Sequence, residues 1–260
     1  ITNDEILLAL NQIHSTKALV QMVFKKFWHI ISKDIASLMK ELRMGKANFN
    51  SINETLITLI PKTKNSSLVM DFRPINLCNV TYKFFSKILV NRLRIWMPFL
   101  LSKNQSVFVP KRLITDNAIV SHEIFHSMKT RNSAKSVVMS WKLDMTKAYD
   151  RFEWSFLRFL STKMSLFSKW TDIVMHCAYS ISFNIQINGG LTQSFTPTRG
   201  LLHRDPLSPF LFILVGDIFS NIFSIAANGN FIHGAKFCRQ GPPSPTYSSR
   251  MTSSSSPRPH

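Results

Sequence analysis

The chain has 260 residues, 45% of them hydrophobic, enough to bury a sizeable core as one large domain or two small ones. Its 32 basic and 14 acidic residues give a formal charge of +18 and a pI near 10.2, which favours a polyanionic partner, nucleic acid before an anionic membrane. Cys78, Cys177 and Cys238 are dispersed and odd in number, which excludes a disulfide framework and a zinc signature and fits a reducing compartment. The first residues lack a basic n-region, and the apolar run Pro209 to Gly216 meets Asp217 short of the ~20 residues of a membrane span, so a soluble, basic protein or piece of one is expected.

Residues 1–50 read as helical, with Val20, Val23, Phe24, Phe27, Trp28, Ile31, Ile35, Leu38 and Met39 recurring at threes and fours as a packing stripe. Glu54 to Ile60 reads as a strand stopped by Pro61. A polar loop, Lys62 to Ser67, then leads to Asp71-Phe72-Arg73-Pro74, where Pro74 holds Arg73 extended. Lys62 and Arg73 thus flank a hairpin that closes over a triphosphate, with Arg73 gripping oxygens in bidentate fashion, or else is an ordinary solvated hairpin. Asn79 to Leu101 is a helix by pattern, with Phe84, Phe85, Ile88, Leu89, Leu93 and Trp96 on one face. Gln105 to Arg112 reads as a short extended segment, and Thr115 as the cap of a helix carrying Ile119, Ile124, Phe125 and Met128.

Val137 to Leu143 is a β-branched, apolar run that ends on a single carboxylate, Asp144, before a polar turn. A carboxylate at the end of a buried strand suits a metal ion, because the sheet holds the oxygen rigidly beside an open loop. It also suits a strand-end or helix cap, and the residues alone leave both open. Trp154 to Met164 and Trp170 to Tyr179 follow as two short helices. Ile181, Phe183, Ile185 and Ile187 then alternate with polar residues as a strand, turned into a hairpin by Asn188-Gly189-Gly190. Asp205-Pro206 reads as a helix start, Asp as N-cap, for a largely buried helix through Ile222. From Gly241 the chain is Ser/Pro-rich and low in complexity.

Taken in order, Leu59-Ile60-Pro61-Lys62, Asp71-Phe72-Arg73-Pro74-Ile75, Leu77-Cys78-Asn79-Val80 and Asn104-Gln105-Ser106 resemble the reverse transcriptases of LINE-type (non-LTR) retrotransposons, particularly those abundant in plant genomes. Arg112-Leu113-Ile114-Thr115-Asp116-Asn117, Leu143-Asp144-Met145 with Lys147-Ala148-Tyr149-Asp150, and Asp205-Pro206-Leu207-Ser208-Pro209 continue the match, which covers about residues 20–238. The resemblance implies an α+β fold, the fingers–palm part of a right-hand polymerase. Residues 1–50 would be an N-terminal helical extension, 51–238 interleaved fingers and palm, and 239–260 a disordered tail, with the thumb and the last catalytic palm hairpin missing.

The same resemblance implies that Asp144 is the first catalytic carboxylate and a Mg²⁺ ligand in two-metal nucleotidyl transfer. Lys62 and Arg73 would clamp the triphosphate, Arg112 would contact substrate, and Tyr149 would pack beneath the sugar and exclude a ribose 2′-hydroxyl. The implied partners are an RNA template, a DNA primer and deoxynucleoside triphosphates, with no membrane; the implied location is nuclear.

Two departures stand out. Where the family has Arg-Gly-Leu-Arg-Gln-Gly-Asp-Pro, this chain has Arg199-Gly200-Leu201-Leu202-His203-Arg204-Asp205-Pro206, so His203 replaces a Gln that supports the nascent base pair and Arg204 replaces a Gly. The family's catalytic Asp pair has no counterpart, since no acidic residue follows Asp217. A shifted reading frame supplies a reason. The codon made from the last base of Met251 (ATG) and the first two of Thr252 (AC) is GAC, which encodes Asp, and residues Pro243 to Thr252 permit Pro-Ile-Ser-His-Leu-Leu-Phe-Ala-Asp-Asp out of frame. A frame change between Cys238 and Pro242 is therefore expected, and with it an inactive copy. The alternatives are a non-catalytic nucleic-acid-binding remnant, which the +18 charge suits, and a functionless pseudogene product.

Overall fold

The computed structural model describes residues 1–13, 24–130, 145 and 147–232. The expected strand from Val137 with Asp144 and the tail from Gly241 lie outside the described residues. Among the described residues the fold is mixed α and β, helices with one small sheet, and the packing divides into two compact units: Ile1–Arg92 with Lys147–Leu211, and Leu93–Thr146 with Phe212–His260.

In the first unit, Thr2 caps α1 (Asn3–Gln12) through a reciprocal box: its hydroxyl takes the Glu5 N–H while Glu5 accepts from the Thr2 N–H. Helix α1 buries Ile6, Ala9 and Leu10. Helix α2 (Trp28–Met44) stops at Gly45, whose φ of 69° is the left-handed conformation that ends many helices. Met39 and Leu42 of α2 are buried, whereas Phe27, assigned to the stripe by its spacing, is exposed; Val20 and Val23 lie outside the described residues.

The sheet has the order β2-β1-β3-β4. Strands β1 (Glu54–Pro61) and β2 (Phe72–Cys78) pair antiparallel from Thr55↔Cys78 to Pro61↔Phe72, the hairpin expected around Lys62. Strand β3 (Ser182–Ile187) joins the other side of β1 in parallel, Glu54↔Ser182 to Thr58↔Gln186. Asn188 and Gly189, at φ 49° and 83°, make the left-handed turn that a two-residue hairpin requires, and β4 (Gly190–Leu191) returns along β3. The period of two puts Thr55, Asn76 and Cys78 on the buried face, while Leu77 and Ile60 on the other face remain exposed. Asn53 anchors the start of β1: its amide donates to the Cys177 carbonyl and the Ser180 hydroxyl, both at 2.9 Å.

Helix α3 (Val80–Leu100) buries Phe84, Phe85, Ile88, Leu89 and Leu93 as expected. Trp96, placed on the same face by its spacing, is 59% exposed, because the buried stripe drifts around the helix and ends on Leu93, Met97 and Leu101. Helices α5 (Trp154–Lys163) and α6 (Ser168–Tyr179) pack on each other, burying Leu157 and Leu160 on one and Val174 and Met175 on the other.

The second unit departs further from the sequence pattern. Residues 105–112 form turns, not an extended segment, with Phe108 and Lys111 at positive φ. The Arg112 guanidinium causes this bending, since its Nη1 donates to both the Ser102 and Gln105 carbonyls at 2.6 Å and gathers the loop around itself. Helix α4 (Ile114–Thr130) starts one residue before Thr115, which therefore sits in the first turn and not at the cap. None of the residues of α4 is buried, and Ile119 and Phe125 are more than half exposed.

Helix α7 (Ser208–Asn228) begins three residues after the expected Asp205 and is buried mainly in its first half, with Ile222 and Ile225 exposed. Its length and composition alone would allow it to cross a membrane, although its longest uninterrupted apolar run is shorter than a span. Asp217, in its middle, is buried and accepts from the Ser102 N–H at 2.9 Å and the Ser102 hydroxyl at 2.5 Å. A carboxylate at the centre of a bilayer helix costs about 2.5–3.5 kcal/mol, so this protein-bound Asp argues for a core helix.

Candidate active site

The site is built where two loops of the first unit are laced together. After Lys147, whose carbonyl takes the N–H groups of both Asp150 and Arg151, the chain turns through Tyr149 towards α5. The second loop runs from Arg199 to Asp205. Its Gly200 N–H donates to the Phe152 carbonyl at 2.8 Å, its Leu201 N–H to the Tyr149 carbonyl at 2.9 Å, and the Trp154 indole N–H closes the seam on the Gly200 carbonyl at 2.7 Å. Gly200 is required for this approach: its φ is 101°, and a Cβ there would stand 3.3 Å from the Tyr149 carbonyl oxygen.

This seam brings together two residues singled out by the sequence, Tyr149 and His203. Their rings stack at 5.1 Å between centroids and 27° between planes. His203 Nε2 also lies 3.2 Å from Asp150 Oδ1, a bond that the Nε2–H form donates. The Tyr149 phenol is pushed up to about 12, chiefly by burial and further by the Asp205 carboxylate, so at neutral pH it keeps its proton. Arg204, next along the loop, has φ 66°, the left-handed conformation for which glycine carries no steric penalty.

Beneath the loop lies Asp205, 4% exposed. Ser86 of α3 donates its hydroxyl to Asp205 Oδ1, and Asp205 Oδ2 takes the Ser208 N–H and hydroxyl, each at 3.0 Å. The Ser86 oxygen in turn accepts the Leu207 N–H at 3.1 Å. Asp205 thus performs the capping contact expected of it from three residues upstream of the helix. Burial raises its pKa, and these hydrogen bonds oppose the rise. The cavity lined by Tyr82, Cys177, Gly200, Leu202, Asp205 and Leu207 is about 10 Å³, room for about one water and not for a nucleotide. Burial raises the Cys177 thiol and the Tyr82 phenol there as well, so neither ionises near neutral pH.

Lys62 and Arg73 come together at the β1–β2 hairpin. The register Ile60↔Arg73 and the Lys62 N–H bond to the Asp71 carbonyl (2.8 Å) put the two cations on one face as diagonal neighbours. Lys62 Nζ donates to the Met70 carbonyl at 2.6 Å, and the Asp71 carboxylate takes the Ser67 and Leu68 N–H groups, so the loop between the strands is closed on itself. Arg112 has its Nη1 committed to its own loop, as described above.

The family model for "Reverse transcriptase (RNA-dependent DNA polymerase)" matches residues 60–235. The chain belongs to the reverse transcriptase family. It is 26% identical over 220 residues to an uncharacterized 149 kDa protein of transposon TX1 from Xenopus laevis, a match covering 82% of this chain and 16% of that protein. It is 30% identical over 172 residues to the retrovirus-related Pol polyprotein of the type-2 retrotransposable element R2DM from Drosophila melanogaster, covering 65% of this chain and 15% of the relative. A third relative, the Pol polyprotein of the type-1 element R2 from Nasonia vitripennis, is 23% identical over 209 residues, with 80% and 20% covered. The LINE-type, non-LTR resemblance read from the motifs is thus borne out, and the chain spans a fifth or less of the length of these relatives.

Reverse transcriptases use divalent metal ions, and the described residues do not fit a two-ion centre. No three His, Cys, Asp or Glu side chains converge among them. Asp150 faces His203, and Asp205 is enclosed by Ser86 and Ser208. Asp144, the expected ligand, lies outside the described residues. Reading the sequence alone missed the partner of His203, although Asp150 stood in the quoted motif, and missed the tether from Trp154. Gly200 offered a signal, as a glycine between an arginine and two leucines in a loop.

Proposed function

We propose that residues 51–238 are fingers and palm of a polymerase whose parent reaction is RNA-templated DNA synthesis from a primer 3′-end, with residues 1–50 as a helical extension. Family membership over residues 60–235 is the observation that carries this reading. Lys62 and Arg73, side by side on the hairpin, hold the triphosphate of the incoming nucleotide. Tyr149 lies beneath its sugar, backed by His203, and excludes a 2′-hydroxyl by bulk. Arg112 contacts substrate, and Asp144 is the metal-binding carboxylate, with Mg²⁺ as the ion.

The 260-residue chain itself makes little or no DNA. One carboxylate at position 144 does not furnish both ions of a two-metal centre. The family match stops at residue 235, just before the Ser/Pro-rich tail, which supports a frame change near Cys238. Primer extension on an RNA template tests the reading: the frame-restored chain extends the primer and its Asp144→Asn variant does not. Mg²⁺-dependent synthesis by the 260-residue chain at a rate matching the restored one would overturn the inactivity, and an inactive restored chain would overturn the assignment.

The excess of basic residues favours a second reading, retention of nucleic-acid binding without synthesis. Salt-dependent binding of an RNA–DNA hybrid with no nucleotide incorporation distinguishes it. A nuclear location belongs to the same proposal, checked by imaging the tagged chain.

A further inference from the structure

We propose that Trp96 and Phe99, flanked by Arg94 and Lys103, form a stacking site for single-stranded nucleic acid. The site does not depend on polymerase activity and involves none of the residues assigned above to nucleotide binding.

Three observations carry it. Trp96 is 59% and Phe99 81% exposed, and with Ile95 they share one face at the end of α3, where spacings of three and four residues bring side chains together. Their rings lie 6.3 Å apart with 57° between planes, so both π-faces are held in a fixed relation on one rigid element. Basic residues dominate the sequence around them, although the buried Asp217 carboxylate is bonded at Ser102, beside Lys103. From Phe72 to Thr115 the chain contains no acidic residue, and among the described residues neither Arg94 nor Lys103 has an ion-pair partner.

An aromatic pair on a helix is ordinarily core, yet here the buried stripe turns away to Leu93, Met97 and Leu101 and leaves the rings exposed. An apolar protein partner would bury them without needing the cations. Bases need both, since each stacks on a ring while its phosphate meets a cation.

The test is fluorescence anisotropy of the full chain with labelled oligouridylate and oligothymidylate of about 12 nucleotides. The combined Trp96→Ala and Phe99→Ala substitutions lower affinity at least ~10-fold, with the circular-dichroism spectrum unchanged. Replacing both rings with Leu, which keeps an apolar surface, lowers it as much, while Trp96→Phe stays within about threefold. Arg94→Ser with Lys103→Ser flattens the slope of log affinity against log salt by roughly 1–2. Preference for the RNA or the DNA probe identifies the natural strand, and either supports the site. Wild-type affinity in the double-Leu variant, or no binding of either oligonucleotide by the unmodified chain, overturns it. Neither result bears on the primer-extension assay, so the two proposals fail separately.

Discussion

His203 stacks on Tyr149 and reaches the carboxylate of Asp150, so one side chain contacts two members of the same turn. The ring contact contributes about 0.5–1.5 kcal/mol beyond area burial. His203→Ala therefore lowers stability by roughly 1 kcal/mol, read as a lower urea midpoint at unchanged slope. His203→Gln, the residue found in the family, keeps a donor for Asp150 but loses the stack, and its midpoint falls between the two.

Gly200 and Arg204 lie four residues apart on one loop, both at positive φ, and substitutions there act in opposite directions. Gly200→Ala meets both a disfavoured backbone and the Tyr149 carbonyl, and costs about 1–3 kcal/mol. Arg204→Gly relieves a left-handed backbone that costs roughly 1–2 kcal/mol, and raises the midpoint. Paired thermal melts check both; a lowered melting temperature in Arg204→Gly would contradict the account of the loop.

Asp205 makes the protein less stable as pH rises. Its pKa is raised in the folded state, so the native chain holds a proton longer than the unfolded one and stability falls as pH climbs from about 3.8, the unfolded value, through the raised one. Asp205→Asn removes that slope while keeping an acceptor for Ser86. Asp205→Leu leaves the Ser86 hydroxyl and the Ser208 N–H without their acceptor and costs about 1–3 kcal/mol each. Melting temperatures of the three proteins between pH 3 and pH 8 separate these effects.

Glu5 acts in the opposite sense. Its carboxylate is bonded by the Arg92 guanidinium at 2.9 and 3.0 Å, which holds its pKa down to about 2. A depressed folded-state pKa gives stability that is fully present above about 4.5 and lost as pH falls towards 2. Glu5→Gln should thus narrow the gap in melting temperature between pH 5 and pH 2.5. The pair is partly exposed, so added salt reduces the effect.

Local chemistry made most elements legible. The Pro that ends β1 and the Asn188-Gly189 turn each act within a few residues of themselves. The exposure of Trp96 was not legible, because periodicity says which residues share a face, but not where along a helix that face loses its cover. Residues 105–112 were misread because an arginine that bonds two carbonyls of its own loop leaves no repeating pattern. The pairing of Tyr149 with His203 could not be read at all, since it rests on backbone bonds between loops some fifty residues apart. Motif order, by contrast, located both residues without saying that they touch.

The parallel pairing of β1 with β3 has a consequence for synthesis on the ribosome. Strand β1 can close its hairpin with β2 early, but its other edge has no partner until Ser182–Ile187 has emerged. Until then the nascent chain presents an open row of amides and carbonyls beside Ile57 and Leu59, a template for pairing with a neighbouring chain. Translation that pauses or ends between Cys78 and Ser182 would leave an adhesive edge, so the yield of soluble protein should depend on how quickly that interval is made.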